Sequence, residues 1–181
     1  MAAIPHHRVV IEWMGESIET LEDLLRPGLD AVCVGINPTP TSVAAGHYYQ
    51  GGAGRRVLAR VRDASVIPAV AADEKQFDDD AAFAAGVGFT DVVKRPTSNA
   101  RQLRRVEFDY GRRLLAEKLE TVKPKVVIVT FREAAERLFG KGTVPGITLA
   151  GADVFVMPGP YESRAAATPL LDELAALIRG A

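Results

Sequence analysis

Four short, largely apolar segments of strand length divide this chain, and patterns typical of helices lie between them. The segments run over residues 31–36, 88–93, 125–130 and 152–157. Apolar residues in continuous order, without polar alternation, are typical of strands that are covered on both faces, as in a parallel sheet. Strands that alternate with helices predict an α/β fold, in which a central, mostly parallel sheet lies between two helical layers as a three-layer αβα arrangement.

Apolar residues at helical spacing predict the helices, and Gly or Pro residues end several of them. We expect helices from Ser17 to about residue 25, over 55–64, over 78–85, from 103 to about 119, over 133–139 and through 170–178. Residues 1–15 show no clear period, which predicts a loose arm before a single domain at 16–181. A long loop is expected at 37–54 and a connection at 66–76.

Composition excludes several classes of protein. The 181 residues carry 22 Lys and Arg against 23 Asp and Glu, a net charge of −1, which excludes a uniformly basic nucleic-acid binder. Residues 94–113 hold seven basic and two acidic residues, a pattern of either a solvated helix face or a phosphate footprint. No apolar run approaches the roughly 18 residues that span a bilayer, and no signal peptide is visible. The single cysteine, Cys33, cannot form an internal disulfide, which indicates the reducing cytoplasm, and we expect a monomer.

Polar segments follow three of the predicted strands at their carboxyl ends. They are Asn37 with its loop, residues 91–99, and residues 158–164. Ligands of open α/β sheets bind in the crevice beyond the carboxyl ends of the strands. We therefore expect the three segments to converge on one site.

The same segments carry a resemblance to a known family. GINP at 35–38 followed by GHYY at 46–49 resembles the first motif of the mismatch-specific uracil-DNA glycosylases, which include the bacterial double-strand uracil glycosylases and the thymine-DNA glycosylases. KRPT at 94–97 is similar to the arginine-proline-threonine stretch of that family, and residues 156–164 resemble the motif whose loop enters the DNA duplex. The three motifs occur in the family's order, over roughly residues 21–178.

The resemblance implies the fold of the uracil-DNA glycosylase superfamily and an enzyme of base excision repair. Such an enzyme flips uracil, or another mismatched or damaged base, out of double-stranded DNA. It then hydrolyses the N-glycosidic bond as a monofunctional glycosylase and leaves an abasic site. The partner implied is double-stranded DNA that contains uracil or mismatches, and no cofactor is implied.

Two residues are candidates for the chemistry. Asn37 corresponds to the family's catalytic asparagine, and its amide can orient a water molecule but cannot take the water's proton. Asp91 departs from the family, since related members can have lysine there, and a carboxylate can accept that proton. The alternatives stay open at this point: Asn37 caps the turn before Pro38, and Asp91 forms an ion pair with Lys94 or Arg95.

The expected base pocket contains Ile36, His47 and Tyr49. Tyr49 matches the aromatic residue that stacks on the flipped base, and stacking tolerates many bases because every base has a π-face. Core packing is the alternative for Tyr49. His47 could bond the base or the sugar, or have only a structural role.

DNA contacts are expected from the loop after the last strand and from basic residues near the site. The loop residues are Gly159, Pro160, Tyr161, Glu162, Ser163 and Arg164. Tyr161 could fill the gap left by the flipped base, whereas Glu162 is unusual because it would repel phosphates. Ser163 and Arg164 suit phosphate contacts, and Arg55, Arg56, Lys94 and Arg95 are further candidates.

Two other functions stay open. One is a protein that binds DNA damage without catalysis, and the other is an α/β enzyme that hydrolyses nucleosides. The sequence contains no complete Walker motif and no GxGxxG after a strand. It also contains no His/Cys cluster at metal-ligand spacing, so we expect no metal ion in the site.

Overall fold

The chain begins, where it can be described, with a β-hairpin. The computed structural model describes residues 7–67, 77–142 and 146–180. Strand β1 (Arg8–Trp13) pairs antiparallel with strand β2 (Glu16–Leu21). Met14 and Gly15 join them with φ angles of 53° and 85°, a pair of positive values that suits a two-residue hairpin turn.

The hairpin corrects the expectation for this part of the sequence. Residues 8–13 are a strand and not part of a loose arm, and the helix expected from Ser17 is wrong. The side chains of Val9, Ile11 and Trp13 alternate with more exposed neighbours, and Trp13 is buried. The exposure of residues 8–13 thus alternates with a period of two, which is typical of a strand.

The central sheet has five strands among the described residues: β3 (Ala31–Gly35), β4 (Val87–Asp91), β5 (Val126–Val129), β6 (Thr148–Leu149) and β7 (Ala152–Val156). Their order is β4-β3-β5-β7-β6. All neighbours are parallel except β6 and β7, which are antiparallel. The four predicted strands are confirmed, and the short β6 is an addition.

Helices follow most of the strands, largely where the apolar spacing predicts them. They are α1 (Pro40–Ala45), α2 (Gly52–Asp63), α3 (Asp78–Ala84), α4 (Arg105–Val122), α5 (Arg132–Phe139) and α6 (Arg164–Arg179). The expected long loop contains α1, which Thr39 caps. Helix α6 begins earlier than expected because Ser163 caps it by accepting a hydrogen bond from the N–H of Ala166. Most of the connection expected at 66–76 lies outside the described residues.

Two separate apolar cores cover the two faces of the sheet. Cys33, Ile128 and Phe155 belong to one core with α2 and α6, whereas Val34 and Val127 belong to the other with α4 and α5. Successive strand residues point to opposite faces, so each face receives every second side chain. This arrangement confirms the predicted three-layer αβα fold. Among the described helices, none combines the length and apolar character needed to cross a membrane.

Gly111 lies where α4 packs against the segment that follows β4. A Cβ atom at this position would lie 1.9 Å from the carbonyl oxygen of Val92 and 3.3 Å from the indole ring of Trp13. The segment that follows β4 is therefore pressed directly against the helix backbone.

We predict that Gly111→Ala lowers the free energy of unfolding by about 1–3 kcal/mol, although alanine favours helices, because the methyl group overlaps the Val92 backbone. Urea unfolding measures the change. Gly52→Ala is the matched control, since a Cβ there meets nothing within 4 Å. Equal stability of the two variants would contradict the close packing.

Candidate active site

A cavity of about 420 Å³ opens at the carboxyl ends of β3 and β4. The ends of these strands, the segments that follow them and the starts of α2 and α5 line it. The lining residues are Leu21, Gly35, Ile36, Asn37, Pro38, Thr39, Ser42, Tyr48, Tyr49, Gly51, Gly52, Ala53, Gly54, Asp91, Thr97, Ser98, Asn99, Ala100, Phe131 and Glu133. Two of the three polar segments thus converge as expected.

The third polar segment lines a different cavity. Pro160, Tyr161, Glu162 and Arg164 border a space of about 570 Å³ together with residues of α2 and α6. Helix α2 links the two cavities, since its first residues line one and its second turn lines the other. The expectation that all three segments form one pocket is corrected in this respect.

Hydrogen bonds fix the orientation of the Asn37 amide. Its Nδ2 lies 3.0 Å from the carbonyl oxygen of Arg95, 3.2 Å from that of Pro38 and 2.8 Å from Oγ1 of Thr97. Backbone carbonyls only accept hydrogen bonds, so this end of the amide must be the NH₂ group. The Oδ1 atom remains as an acceptor in a residue that lines the cavity, and an oxygen of this kind can accept a hydrogen bond from a water molecule.

Asp91 ends β4 directly opposite Gly35 of β3. A Cβ on residue 35 would lie 2.2 Å from Oδ1 of Asp91, so only glycine leaves room for this carboxylate. Asp91 is 4% exposed, and no described residue hydrogen-bonds its buried Oδ2 atom. A buried, unsatisfied carboxylate oxygen in a cavity wall is costly to the fold and available to a ligand.

The ion pair considered for Asp91 is absent from the described residues. Nζ of Lys94 lies 2.8 Å from Asp23, and the guanidinium of Arg95 binds both carboxylate oxygens of Glu107. Lys94 is also buried, so it cannot reach a phosphate, and the expected contact at this residue is wrong. The bidentate pair with Glu107 likewise occupies Arg95.

Burial raises the pKa of Asp91 to about 7. Lys94 and Lys118 act in the opposite direction, and the charge of Asp23 adds to the increase. The desolvation of the carboxylate outweighs the two cations because neither is within ion-pair distance. The carboxyl group therefore exchanges its proton near neutral pH, which suits a general base.

Tyr49 forms part of the aromatic wall of the cavity. It adopts a left-handed backbone conformation with φ of 58°, which is uncommon for a bulky residue and typical of functional sites. Its hydroxyl donates to Oγ1 of Thr130 at 3.1 Å, and its ring lies near those of Phe89 and Phe131. Tyr49 is 8% exposed and belongs to one of the apolar cores, which supports core packing, and it also lines the cavity. Ile36, the third expected pocket residue, also lines the cavity.

His47 does not line this cavity, which corrects its expected place in the base pocket. Its Nδ1 lies 3.0 Å from Oδ1 of Asp79, and its ring stacks on Phe77 at 3.5 Å. The side chain faces α3 and is 4% exposed. The neighbouring side chains of Tyr48 and Tyr49 turn to the cavity instead.

Arg60 holds the loop after β7 in place. Its guanidinium donates to the carbonyl oxygens of Gly159 and Glu162. Glu162 also pairs with Arg132 at 3.1 Å, so its charge faces an arginine. Tyr161 at the tip is 74% exposed, and the guanidinium of Arg56 lies 5.2 Å from its ring centre. The loop thus presents one large, uncovered side chain on an anchored backbone.

Basic residues surround this loop. Arg55 and Arg56 are exposed on the first turns of α2, and Arg164 is exposed at the start of α6. Arg164 lies 3.5 Å from Asp63, an exposed contact that contributes little to stability. Arg164 can therefore exchange its contact with Asp63 for a contact with a phosphate.

The residues that surround the site match a known family. The chain matches the uracil DNA glycosylase superfamily over residues 22–176. The chain belongs to this superfamily. Membership makes it a DNA glycosylase, a hydrolase of base excision repair that acts on uracil in DNA. For a uracil DNA glycosylase, the cavity at the ends of β3 and β4 is the candidate site for the extracted base.

Several residues that support the site of this uracil DNA glycosylase were not predicted from the sequence. Thr97 accepts a hydrogen bond from the Asn37 amide, and Thr130 accepts one from the Tyr49 hydroxyl. Arg60 donates to the backbone of the loop after β7. Glu133 and Phe131 line the cavity from the start of α5. Thr97 follows one predicted strand and Thr130 is the last residue of another, both at the carboxyl edge, so their positions indicated a place near the site, whereas nothing in the sequence indicated the long-range contacts of Arg60.

We predict that Asp91→Asn raises the melting temperature more at pH 8 than at pH 5. The folded-state pKa of about 7 exceeds the ordinary value of 3.8, so the stability from the protonated carboxyl is complete below pH 3.8 and is lost as the pH rises through 7. The amide avoids this loss, which is on the order of a few kcal/mol.

Calorimetry of both proteins between pH 5 and pH 8 measures this effect. Asp153→Asn, an exposed carboxylate on β7, is the control and should show no pH-dependent gain. A gain for Asp91→Asn that does not vary with pH would mean that the carboxyl is not protonated in the folded protein.

Proposed function

We propose that this protein is a monofunctional glycosylase of the mismatch-specific branch, which flips uracil out of double-stranded DNA and hydrolyses its glycosidic bond. Other mismatched or damaged bases are further candidate substrates. The observation that carries the proposal is the pair of Asn37 and Asp91 on adjacent strand ends in one cavity. We further propose that it acts as a monomer in the cytoplasm.

The two side chains divide the work on one water molecule. Oδ1 of Asn37 accepts a hydrogen bond from the water and fixes its position. Asp91 accepts the proton that the water loses as it attacks the sugar carbon, and its negative charge favours the cationic sugar. A pKa near neutral pH gives Asp91 both a substantial deprotonated fraction and useful basicity.

The start of α2 supports the departing base. Gly51, Gly52, Ala53 and Gly54 line the cavity, and the first N–H groups of a helix have no acceptor within it. No side chain caps this helix end. These N–H groups can stabilise the uracil anion as it forms, so that no proton needs to be transferred to the base.

Water is the nucleophile in this proposal because the cavity lining contains no lysine among the described residues. An amine nucleophile would form a covalent intermediate with the sugar, as bifunctional enzymes require. Lys94, the lysine nearest to Asp91 in the sequence, is paired with Asp23.

Two alternatives are less well supported. A protein that only binds damage would have no need of a costly, unsatisfied carboxylate in its pocket. An enzyme for free nucleosides would have no need of the exposed Tyr161 or of the arginines around it. Comparing duplex DNA with free deoxyuridine as substrates separates these readings.

We predict release of free uracil from a duplex with one G·U pair. A panel of duplexes, each with one modified base, is assayed for alkali-labile abasic sites, with single-stranded uracil DNA included to test strand preference. Absence of cleavage by folded protein would contradict the proposed activity, and faster cleavage of single strands would contradict the double-strand preference.

In single-turnover assays on the same duplex, Asp91→Asn should slow cleavage by roughly 10²–10⁴-fold, the span expected for loss of a general base. The wild-type rate should fall as the pH drops below about 7, because Asp91 is then protonated, and the variant should lack this decline. Asn37→Ala should also slow cleavage yet keep the pH dependence and DNA binding. A rate within about threefold of wild type for Asp91→Asn would remove it from the mechanism.

We predict that Tyr161 is the wedge that fills the duplex after base flipping. Unstacking a base costs a few kcal/mol, and an inserted side chain offsets this cost. Tyr161→Ala should therefore reduce cleavage more for uracil in a stable pair than for uracil in a loose mismatch. Tyr161→Phe, which keeps the ring, is the control and should retain activity on both. Equal losses on both duplexes would identify Tyr161 as a scaffold residue.

A further inference from the structure

The structure gathers two histidines and two aspartates outside the cavity of the proposed chemistry. They are His7 before β1, His47 after α1, and Asp79 and Asp80 in the first turn of α3. One potential ligand atom from each residue lies within 4.8 Å of all the others. We propose that these four side chains bind one divalent transition-metal ion, for which Zn²⁺ is the best fit.

The donor set suits such an ion. Two imidazole nitrogens and two carboxylate oxygens are accepted ligands of tetrahedral Zn²⁺, at about 2.0–2.2 Å from the ion, which places neighbouring ligand atoms about 3.3 Å apart. The four candidate ligand atoms lie within 4.8 Å of one another. Shorter separations in the cluster are 2.6 Å from His7 Nε2 to Oδ1 of Asp80, 3.0 Å from His47 Nδ1 to Oδ1 of Asp79 and 3.9 Å from His47 Nδ1 to Oδ2 of Asp80. A small adjustment of side chains therefore creates the coordination shell. The +2 charge of the ion balances the −2 charge of the two carboxylates.

The backbone holds the ligands before any ion binds. The N–H of His7 donates to the carbonyl oxygen of Gly46, and its own carbonyl accepts from the N–H of Glu22. Oδ2 of Asp79 accepts a hydrogen bond from the backbone N–H of Tyr48 at 2.7 Å, which leaves Oδ1 toward the histidine. Such outer contacts orient metal ligands and reduce the entropy lost on binding.

The surroundings suit a structural ion. His7, His47 and Asp79 are buried, and Phe77 stacks on the His47 ring. An apolar cover of this kind limits the access of water to a metal site. Three distant parts of the chain meet here, so the ion would tie the segment before the hairpin to α3.

The site would act on the base pocket only indirectly. His47 precedes Tyr48 and Tyr49, whose side chains line the active-site cavity, whereas His47 itself does not. An ion at this cluster would stiffen the strained segment that carries Tyr49 and would not touch the reacting atoms. The inference does not depend on the proposed function, because its test measures binding and stability.

The test begins with full-length protein freed of metal by a chelator. Titration calorimetry with Zn²⁺ should give one site per chain, and Co²⁺ should give the visible absorption of tetrahedral coordination. Zn²⁺ at 100 times its dissociation constant should raise the melting temperature by roughly 5 °C or more. Binding of no ion at 100 µM, or a stoichiometry other than one, would overturn the proposal.

Two neighbouring aspartates give a matched pair of variants. Asp80 and Asp78 lie on the same helix turn with 27% and 26% of their side chains exposed, but Asp78 pairs with Arg62 instead of joining the cluster. Asp80→Asn should weaken Zn²⁺ binding at least about tenfold, and Asp78→Asn should leave it unchanged. His47→Gln should abolish the Co²⁺ spectrum.

The remaining outcomes also decide the question. Equal affinities of Asp80→Asn and Asp78→Asn would overturn the site. Binding that is lost in His6→Gln but kept in Asp80→Asn would assign the ion to the paired histidines of the amino terminus, and the cluster would then be only a hydrogen-bonded network. Uracil release by the metal-free protein at 25 °C should match that of the Zn²⁺-loaded protein, because none of the four ligands lines the cavity.

Discussion

Asp91, whose buried Oδ2 atom has no hydrogen-bond partner among the described residues, is the constraint around which the carboxyl edge of this sheet is arranged. The parallel register of β3 and β4 sets Gly35 opposite Asp91, and the missing side chain of Gly35 is what admits the carboxylate. Hydrogen bonds from Val92 to Gly35 and from Val93 to Ile36 continue the pairing past the strand ends. They fix Asp91 beside Asn37, so the proposed general base occupies its position at a cost to stability.

The charges next to Asp91 explain why it stays unpaired. Asp23 accepts hydrogen bonds from Lys94, Lys118 and Thr90. Burial raises the pKa of Asp23, but the two lysines outweigh it and hold that pKa below its ordinary value. Both lysines thus pair with Asp23 and not with Asp91, so they lower the pKa of Asp91 without outweighing its burial. The half-buried Asp23 and the buried Asp91 thereby acquire opposite pKa shifts, one as a structural anion and one as a candidate base.

Sequence patterns were sufficient to predict the features that depend on the local order of residues. They did not predict the side-chain orientations and partners that depend on contacts between distant residues. Buried strands read as apolar runs, and parallel strand ends share an edge, so the meeting of Asn37 and Asp91 was predictable. The direction of His47 was not, because it depends on the left-handed turn at Tyr49 and on Asp79, 32 residues away. Nor were the true partners of Lys94 and Arg95, because Asp23 and Glu107 reach them only through the tertiary fold.

The β-hairpin shows what the family pattern leaves to the individual chain. The match to the superfamily begins at residue 22, just after β2. Yet Leu21 lines the cavity, Thr20 donates to the carbonyl oxygen of Lys94, and Trp13 packs against Tyr110 of α4. The hairpin therefore supports the stretch that holds Asn37 and the segment that follows Asp91. Apart from Leu21, these hairpin residues do not line the cavity, so changes in them can adjust the geometry of the site while every residue that lines the cavity stays the same.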